Sequence, residues 1–269
     1  GSDTSAALLA GRLEAERAEI WTDVPGLFSA DPRLIPEARL LSRLGYDEAL
    51  EMAASGARVI HPRCIRAAAA TATPLEIRDL SRRAAPGTCI GADEAKEECI
   101  KTITCQRSMA VMLLQNRDAR RQVGFLAGVF DVFRRRGVSI DLVATSETTT
   151  TVAIDRAANH LGPAELAGLA EDLGSLCRVE RFDDCVCVNL VGRGARRALA
   201  RLSGVLEFFD DHPLLMVSQS ANDLCLSLLV RAGDETPLLT GAHGALIPPE
   251  AAGPHPVFGA TWSRLRATE

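Results

Sequence analysis

The sequence predicts an α/β fold in two parts: strands and helices of an open α/β sheet, then tandem βαββαβ units. Three observations predict it. An apolar run, Glu19-Ile20-Trp21, ends in a loop carrying Asp23-Val24-Pro25-Gly26 and Asp31-Pro32, so a strand opens into two successive turns. From Thr102 onward, segments alternate in the order strand, helix, strand, strand. The same order returns about seventy-five residues later, a spacing that means duplicated domains rather than a solenoid.

The first part starts at Ser2 or Asp3, either of which is expected to cap a helix with Ala7, Leu8 and Leu13 along one side. The strand ending at Trp21 follows. A strand that stops at a sheet's carboxyl edge and opens into a fixed loop is where open α/β sheets place their ligands. On that loop Arg33 suits a phosphate, and Thr22 and Asp23 suit the polar edges of a nucleotide. Arg33 to Leu44 is expected to be a connector with some helix. Asp47 to Ser55 reads as a helix stopped by Gly56. Arg58 to Ala70 reads as a second helix with Pro62 in its first turn. Pro74 to Arg78 alternates apolar and polar residues as a strand does, and residues 91–99, acidic and small, read as a linker.

In the second part, Met109–Leu114 reads as a strand and Gly124–Phe133 as an amphipathic helix, with strands at Val138–Thr145 and Thr149–Ile154. The repeat gives a strand at Cys185–Val191, a helix at Ala198–Phe209, and strands at Leu214–Gln219 and Asp223–Val230. Strand, helix, hairpin, helix, strand is the ferredoxin-like plan. Gly241 to Glu269, rich in Pro, Gly and Ala, is expected to be a poorly ordered tail or a linker.

Composition bounds the function. At 269 residues, 47% hydrophobic and 24% charged, the chain can build one to three domains with cores of their own. A net charge of −5 argues against a sequence-independent grip on nucleic acid. No run of about eighteen apolar residues indicates a membrane span, and no basic-then-apolar signal begins the chain. The eight cysteines form no Cys-x-x-Cys pair and have no matching His spacing, which argues against zinc or a disulfide framework. Cys185 and Cys187 share one face of a strand and read as small apolar core residues. Reduced thiols fit a cytoplasmic protein.

Taken in order, Gly1-Ser2-Asp3-Thr4-Ser5-Ala6, then Trp21 to Arg33, then Gly56-Ala57-Arg58-Val59-Ile60-His61-Pro62 resembles the C-terminal part of the aspartate kinase catalytic domain. Gly124-Phe125-Leu126 with Val138 to Glu147 resembles the first ACT domain of lysine-sensitive aspartate kinases, and Ser218 to Cys225 the matching turn of the second. The resemblance implies the C-terminal portion of an amino-acid-kinase sandwich followed by tandem ferredoxin-like ACT domains. Its nominal boundaries are 1–90 for the kinase portion, 91–102 for a linker, 103–183 and 184–248 for the ACT units, and 249–269 for a tail. In that family the second ACT unit is inserted within the first.

By the same resemblance, Thr22, Asp23, Phe28, Arg33, Arg58 and Val59 lie around ATP, Ser2 contacts aspartate, and Asp3 positions a catalytic lysine. Phe28 stands where relatives carry tyrosine, and Arg58 where many carry lysine. The implied reaction moves the γ-phosphoryl of ATP, bound with Mg²⁺ as substrate, to the β-carboxylate of L-aspartate, with no tightly bound cofactor. An L-lysine effector is expected near Asp141, Ser146, Glu147 and Ser139, its carboxylate facing the N–H groups that open the Gly124 helix. Two carboxylates around one ammonium favour lysine over threonine. A homodimer through the ACT edges is expected. No Lys-Phe-Gly-Gly motif of the kind aspartate kinases carry occurs here, so the chain alone is expected to be inactive. The alternatives are a non-catalytic ACT-containing regulatory subunit or part of a longer bifunctional enzyme. Another amino-acid kinase, such as a glutamate or uridylate kinase, fits the ACT-like repeat less well.

Overall fold

The computed structural model describes residues 1–57, 59–92, 97–116, 123–202, 205, 207–233 and 235–267. Helix α1 (Ser2–Arg12) leads to strand β1 (Ala18–Thr22). No side chain caps α1: Gly1 holds the capping position, and the Ser2 hydroxyl donates instead to Asp3 Oδ1 at 3.1 Å, against the expectation that Ser2 or Asp3 does so. Strands β2 (Arg39–Leu41) and β3 (Arg43–Gly45) occupy the stretch expected to be a partly helical connector. Helix α2 (Tyr46–Ala54) follows, and then α3 (Pro62–Ala70), which starts at the proline rather than at Arg58. Pro62 lacks the N–H an inner turn would need, so the helix begins there, and the His61 ring accepts from Arg63 N–H.

Strands β4 (Leu75–Asp79) and β5 (Thr88–Gly91) complete a mixed sheet in the order β1-β4-β5-β3. β1 and β4 run parallel, pairing Thr22 with Asp79, so both end at one carboxyl edge. Ile100 and Lys101 are buried next to the stretch expected to be a linker; residues 93–96 of that stretch lie outside the described residues.

The second part is built on two 15-residue strands, β6 (Thr102–Asn116) and β9 (Cys177–Val191), each much longer than its sequence signal. Between them lie α4 (Phe125–Arg135), β7 (Leu142–Thr145), β8 (Thr149–Asp155) and α5 (Pro163–Gly174). The strand expected from Val138 forms only from Leu142. After β9 come a 3₁₀ turn (Ala195–Arg197), the short helix α6 (Ala198–Arg201), a second 3₁₀ turn (Glu207–Asp210), and strands β10 (Met216–Gln219) and β11 (Cys225–Arg231). The single helix expected over Ala198–Phe209 is therefore broken into pieces.

The sheet order is β10-β11-β9-β6-β8-β7. The C-terminal half of β6 pairs with the N-terminal half of β9 on one side and with β8 on the other, and β8 pairs with β7, which is the ferredoxin-like order. The other halves pair Thr102–Gln106 with Val191–Cys187, next to β11 and β10. The second unit thus takes its fourth strand from the start of β6, and the two units interlock through shared strands. The pairing shifts register between Gln106 and Met109, where Ser108 takes a positive φ of 65°. The sheet curls, and Met109, Val111, Cys185, Cys187, Met216 and Leu229 fill its inner face. Cys185 and Cys187 are the small apolar core residues expected of them.

The last segment is ordered, against the expectation of a loose tail. Helix α7 (Glu235–Leu246) buries Leu238, Leu239, Ala242, His243 and Leu246, and β12 (Phe258–Thr261) pairs antiparallel with β2 before α8 (Trp262–Ala267). One apolar core runs from Ala7 and Ile20 of the first sheet through Val188 and Leu228 to Leu246 and Phe258. Proline and glycine between these elements set turns rather than disorder.

Candidate functional site

The carboxyl edge of β1 and β4 carries the first set of candidate residues. Thr22 Oγ1 donates to Asp23 Oδ1 at 3.0 Å, and Asp23 is exposed. Beside them Asp79 is buried and accepts from Ser81 N–H at 2.7 Å and Arg82 N–H at 3.3 Å, fixing the loop after β4. The turn at Gly26 rests on Thr88: a Cβ at Gly26 would lie 2.2 Å from Thr88 Oγ1, which accepts from Leu27 N–H and donates to Leu41 O. Glycine is required there by close approach. Helix α1 packs against α3 and β1. Cys64 Sγ donates to Asp3 O at 3.3 Å, placing Ser2 and Asp3 beside the start of α3.

The other loop residues are placed differently. Phe28 is buried, 8% exposed, with its ring edge-on to Trp262 at 5.5 Å, so its aromatic contact is with the C-terminal helix. Arg33 is exposed and pairs with Asp31 through Nε and Nη2. Burial opposes ionisation of Asp31, but the hydrogen bonds from Arg33 outweigh it and hold the carboxyl below its usual range. Val59 packs against the core, and Arg58 lies outside the described residues.

The back of this loop is tied to the second part of the chain. Thr102 Oγ1 donates to Phe28 O at 2.8 Å, and Ile103 N–H to Ser29 O at 2.8 Å. Ser29 Oγ lies 2.9 Å from His243 Nε2 of α7 and accepts from Arg39 N–H. These ties join residues distant in sequence, so only the short Asp79-Leu-Ser81 turn was open to local reading.

A second cavity, of about 720 Å³, opens where α4 begins. The backbone of Gly124 to Ala127 forms one wall; Asn116 and the hairpin residues Ser146, Glu147 and Thr148 form the other. Gly124 has a φ of 88°, which glycine adopts without a Cβ clash, and free N–H groups open the helix beside it. Ser146 Oγ lies 2.7 Å from Thr149 Oγ1 and closes the turn that presents Glu147. Ser139 and Asp141 do not line this cavity. Ser139 N–H donates to Asn159 Oδ1, and Asp141 Oδ2 accepts from Asp155 N–H at 2.6 Å. Burial raises the Asp141 carboxyl above its usual value despite that bond. Asn116 and Thr148 also line the cavity, and no local sequence pattern marks either.

Residues 1–79 match the amino acid kinase family. Lysine-sensitive aspartokinase 3 of Escherichia coli is 32% identical over 91% of the chain and 55% of its own length. The chloroplastic aspartokinase 2 of Arabidopsis thaliana is 30% identical over 91% of the chain and 46% of its own length. The chain is a relative of the aspartokinases. The E. coli aspartokinase III structure in complex with aspartate and ADP superposes with a TM-score of 0.80 at 30% identity, over 92% of this chain and 56% of that one. The same enzyme with lysine and aspartate gives 0.77. The chain spans about half the length of the aspartokinases it matches. Among the described residues, no helix is long and apolar enough to cross a membrane.

Proposed function

We propose that this chain is the C-terminal part of an aspartate kinase catalytic domain joined to a paired amino-acid sensor. The reaction it serves is transfer of the γ-phosphoryl of ATP to L-aspartate, giving 4-phospho-L-aspartate and ADP, with L-lysine as feedback effector. The observation that carries the reading is the placement of Thr22 and Asp23 at a shared carboxyl edge, on a chain whose fold matches a relative solved with aspartate and ADP. Phosphoryl transfer is mostly positioning and charge neutralisation. In this reading Thr22 and Asp23 hold nucleotide edges with Val59 beside them, Arg33 and Arg58 supply positive charge, Ser2 contacts aspartate, and Asp3 positions a catalytic lysine. Phe28 supports the loop from behind through Trp262.

Lysine, in this reading, occupies the cavity at α4, its carboxylate on the helix N–H groups and its ammonium on Glu147. Ser139 and Asp141 precede β7, at its end away from this hairpin, and take no part in this site. The nominal division at residues 90, 102, 183 and 248 belongs to the same reading, as do a cytoplasmic location and a homodimer joined through β7 or β10, each hydrogen-bonded on one side only.

One observation favours the second reading, a regulatory subunit without turnover. The chain has two lysines: Lys96 lies outside the described residues, and Lys101 is buried against Glu48, away from the carboxyl edge. Calorimetry with MgADP and with L-lysine separates the two. Binding of both supports the kinase reading, whereas lysine binding without nucleotide supports the regulatory one. Threonine bound in place of lysine overturns the choice of effector. Turnover of aspartate and ATP by the chain alone overturns its expected inactivity.

A further inference from the structure

The two sensor units repeat the same contacts at one corner. In the first, Ser146 N–H donates to Thr149 O at 2.8 Å and Ser146 Oγ accepts from Thr149 N–H at 3.1 Å, closing the turn between β7 and β8. In the second, Ser220 N–H donates to Cys225 O at 3.1 Å and Ser220 Oγ accepts from Cys225 N–H at 3.1 Å, closing the turn between β10 and β11. The strand before each helical turn is tied on in the same way, Asn116 N–H to Thr148 O and Gly192 N–H to Leu224 O. A glycine at positive φ then opens the helical turn, Gly124 at 88° and Gly194 at 76°. These matches make Ser220 the counterpart of Ser146, Leu224 of Thr148 and Gly194 of Gly124, and they put Asp223 at the position of Glu147.

The corners differ in the length of the turn. Two residues lie between Ser146 and Thr149, but four lie between Ser220 and Cys225. The longer turn carries Asp223 at a φ of 58° and reaches across to the helical turn. Asp223 O accepts from Ala195 N–H at 3.1 Å, and Asp223 Oδ1 accepts from Arg196 N–H at 2.8 Å. Oδ2 lies 3.3 Å from Arg196 Nε, and Gln219 Nε2 donates to Oδ1 at 3.4 Å. The N–H groups that start a helical turn have no partner within it, and here the chain's own carboxylate meets them. At α4 no side chain caps the helix, and the cavity of about 720 Å³ lies between the helix start and the shorter turn.

We propose that Asp223 closes the second sensor unit, standing where the carboxylate of a free amino acid stands in the first. The chain then takes a free amino acid at the α4 cavity and not at its repeat. A carboxylate held on the same chain loses no translational freedom on meeting its donors, so a free ligand competes with it at a disadvantage. The ligand of the first unit rests on the proposed lysine reading; the closure by Asp223 rests on the contacts of the second unit alone.

Calorimetry of the full chain with L-lysine is expected to give one bound lysine per chain. Asp223→Ala is expected to lower the urea midpoint, and formate is expected to restore at least about half of that loss, saturably, where chloride at equal ionic strength does not. Formate is expected to raise the midpoint of this variant more than that of the parent chain. Asp223→Asn keeps an oxygen for the Arg196 N–H and serves if Asp223→Ala unfolds: it is expected to lose less and to gain less from formate. Two lysines per chain, an unchanged midpoint in Asp223→Ala, or a loss that chloride restores as well as formate does would each overturn the proposal. Absence of any lysine binding counts against the effector reading alone, and the formate result then decides whether Asp223 closes the second unit.

Discussion

Lys101 Nζ lies 2.6 Å from Glu48 Oε2, and neither side chain has any exposure to solvent. Glu48 sits in the first turn of α2, and Lys101 immediately precedes β6, so the pair joins the first sheet's layer to the sensor. Its oxygens also accept from Gly45 N–H at 3.2 Å and from Arg193 N–H at 3.3 Å, where Arg193 Nη2 pairs with Asp47. Removing one member leaves the other charge buried without its counter-charge, which costs about 3–5 kcal/mol. Lys101→Met and Glu48→Leu are each expected to lower the unfolding free energy from urea titration by that amount. The double substitution is expected to recover much of the loss. A double variant that loses the sum of the two single losses would show that the pair contributes no coupling.

His243 offers a pH prediction. Its ring is buried, which lowers its pKa, and the carboxylate of Glu37 opposes this without cancelling it. The folded protein therefore holds the ring neutral against Ser29 Oγ. The unfolded chain takes up a proton as pH falls through about 6.5, so it binds more protons there than the native state does. Stability from this group is full above that value and declines as pH drops toward the folded pKa, by at most about 1.4 kcal/mol per pH unit. His243→Gln should flatten that part of the urea-midpoint profile between pH 7 and 5. An unchanged slope would place the titration elsewhere.

The elements legible in the sequence are those whose signal is local. The Gly124 helix announced itself by a glycine able to take a positive φ and by an apolar stripe that buries Val129, Val132 and Phe133. The β1 strand and its turns were legible from Trp21, Pro25 and Gly26. β2 was not, because its partner β12 lies more than 200 residues away and no local pattern reports it. The C-terminal segment read as loose from its Pro, Gly and Ala content, yet Phe258 and Trp262 anchor it against Arg39 and Phe28. The same limit applies to the site. Ser146 and Glu147 stand on a hairpin turn that sequence reveals. That Asp141 accepts from Asp155 N–H, and that Phe28 turns to Trp262, depend on packing.

Arg39 closes that C-terminal segment. Its buried guanidinium donates to Gly259 O at 2.9 Å, Pro248 O at 3.0 Å and Phe258 O at 2.6 Å. Arg39→Met would leave those carbonyls without their donor, at about 1–3 kcal/mol for each one kept from water. The segment can escape part of this by detaching. Hydrogen exchange is therefore expected to accelerate at residues 258–261 before the rest of the fold loosens. Protection that stays uniform across the chain would mean that β12 is held by its pairing with β2 alone.

The cavity at α4 gives the last prediction, and it tests the effector within the proposed function. The helix N–H groups of Gly124 to Ala127 provide for a carboxylate whatever the side chain, so they do not choose between amino acids. In the proposed site Glu147 makes the choice, because the second ammonium of lysine needs an acceptor there. A hydrogen bond to a charged partner contributes about 1.5–3 kcal/mol, so Glu147→Gln is expected to weaken lysine binding at least about tenfold. Ser146→Ala should cost less, since its hydroxyl is already engaged with Thr149 Oγ1 at 2.7 Å and acts through the turn. Calorimetry on the full chain measures both. Lysine affinity unchanged in Glu147→Gln would move the effector ammonium away from this hairpin.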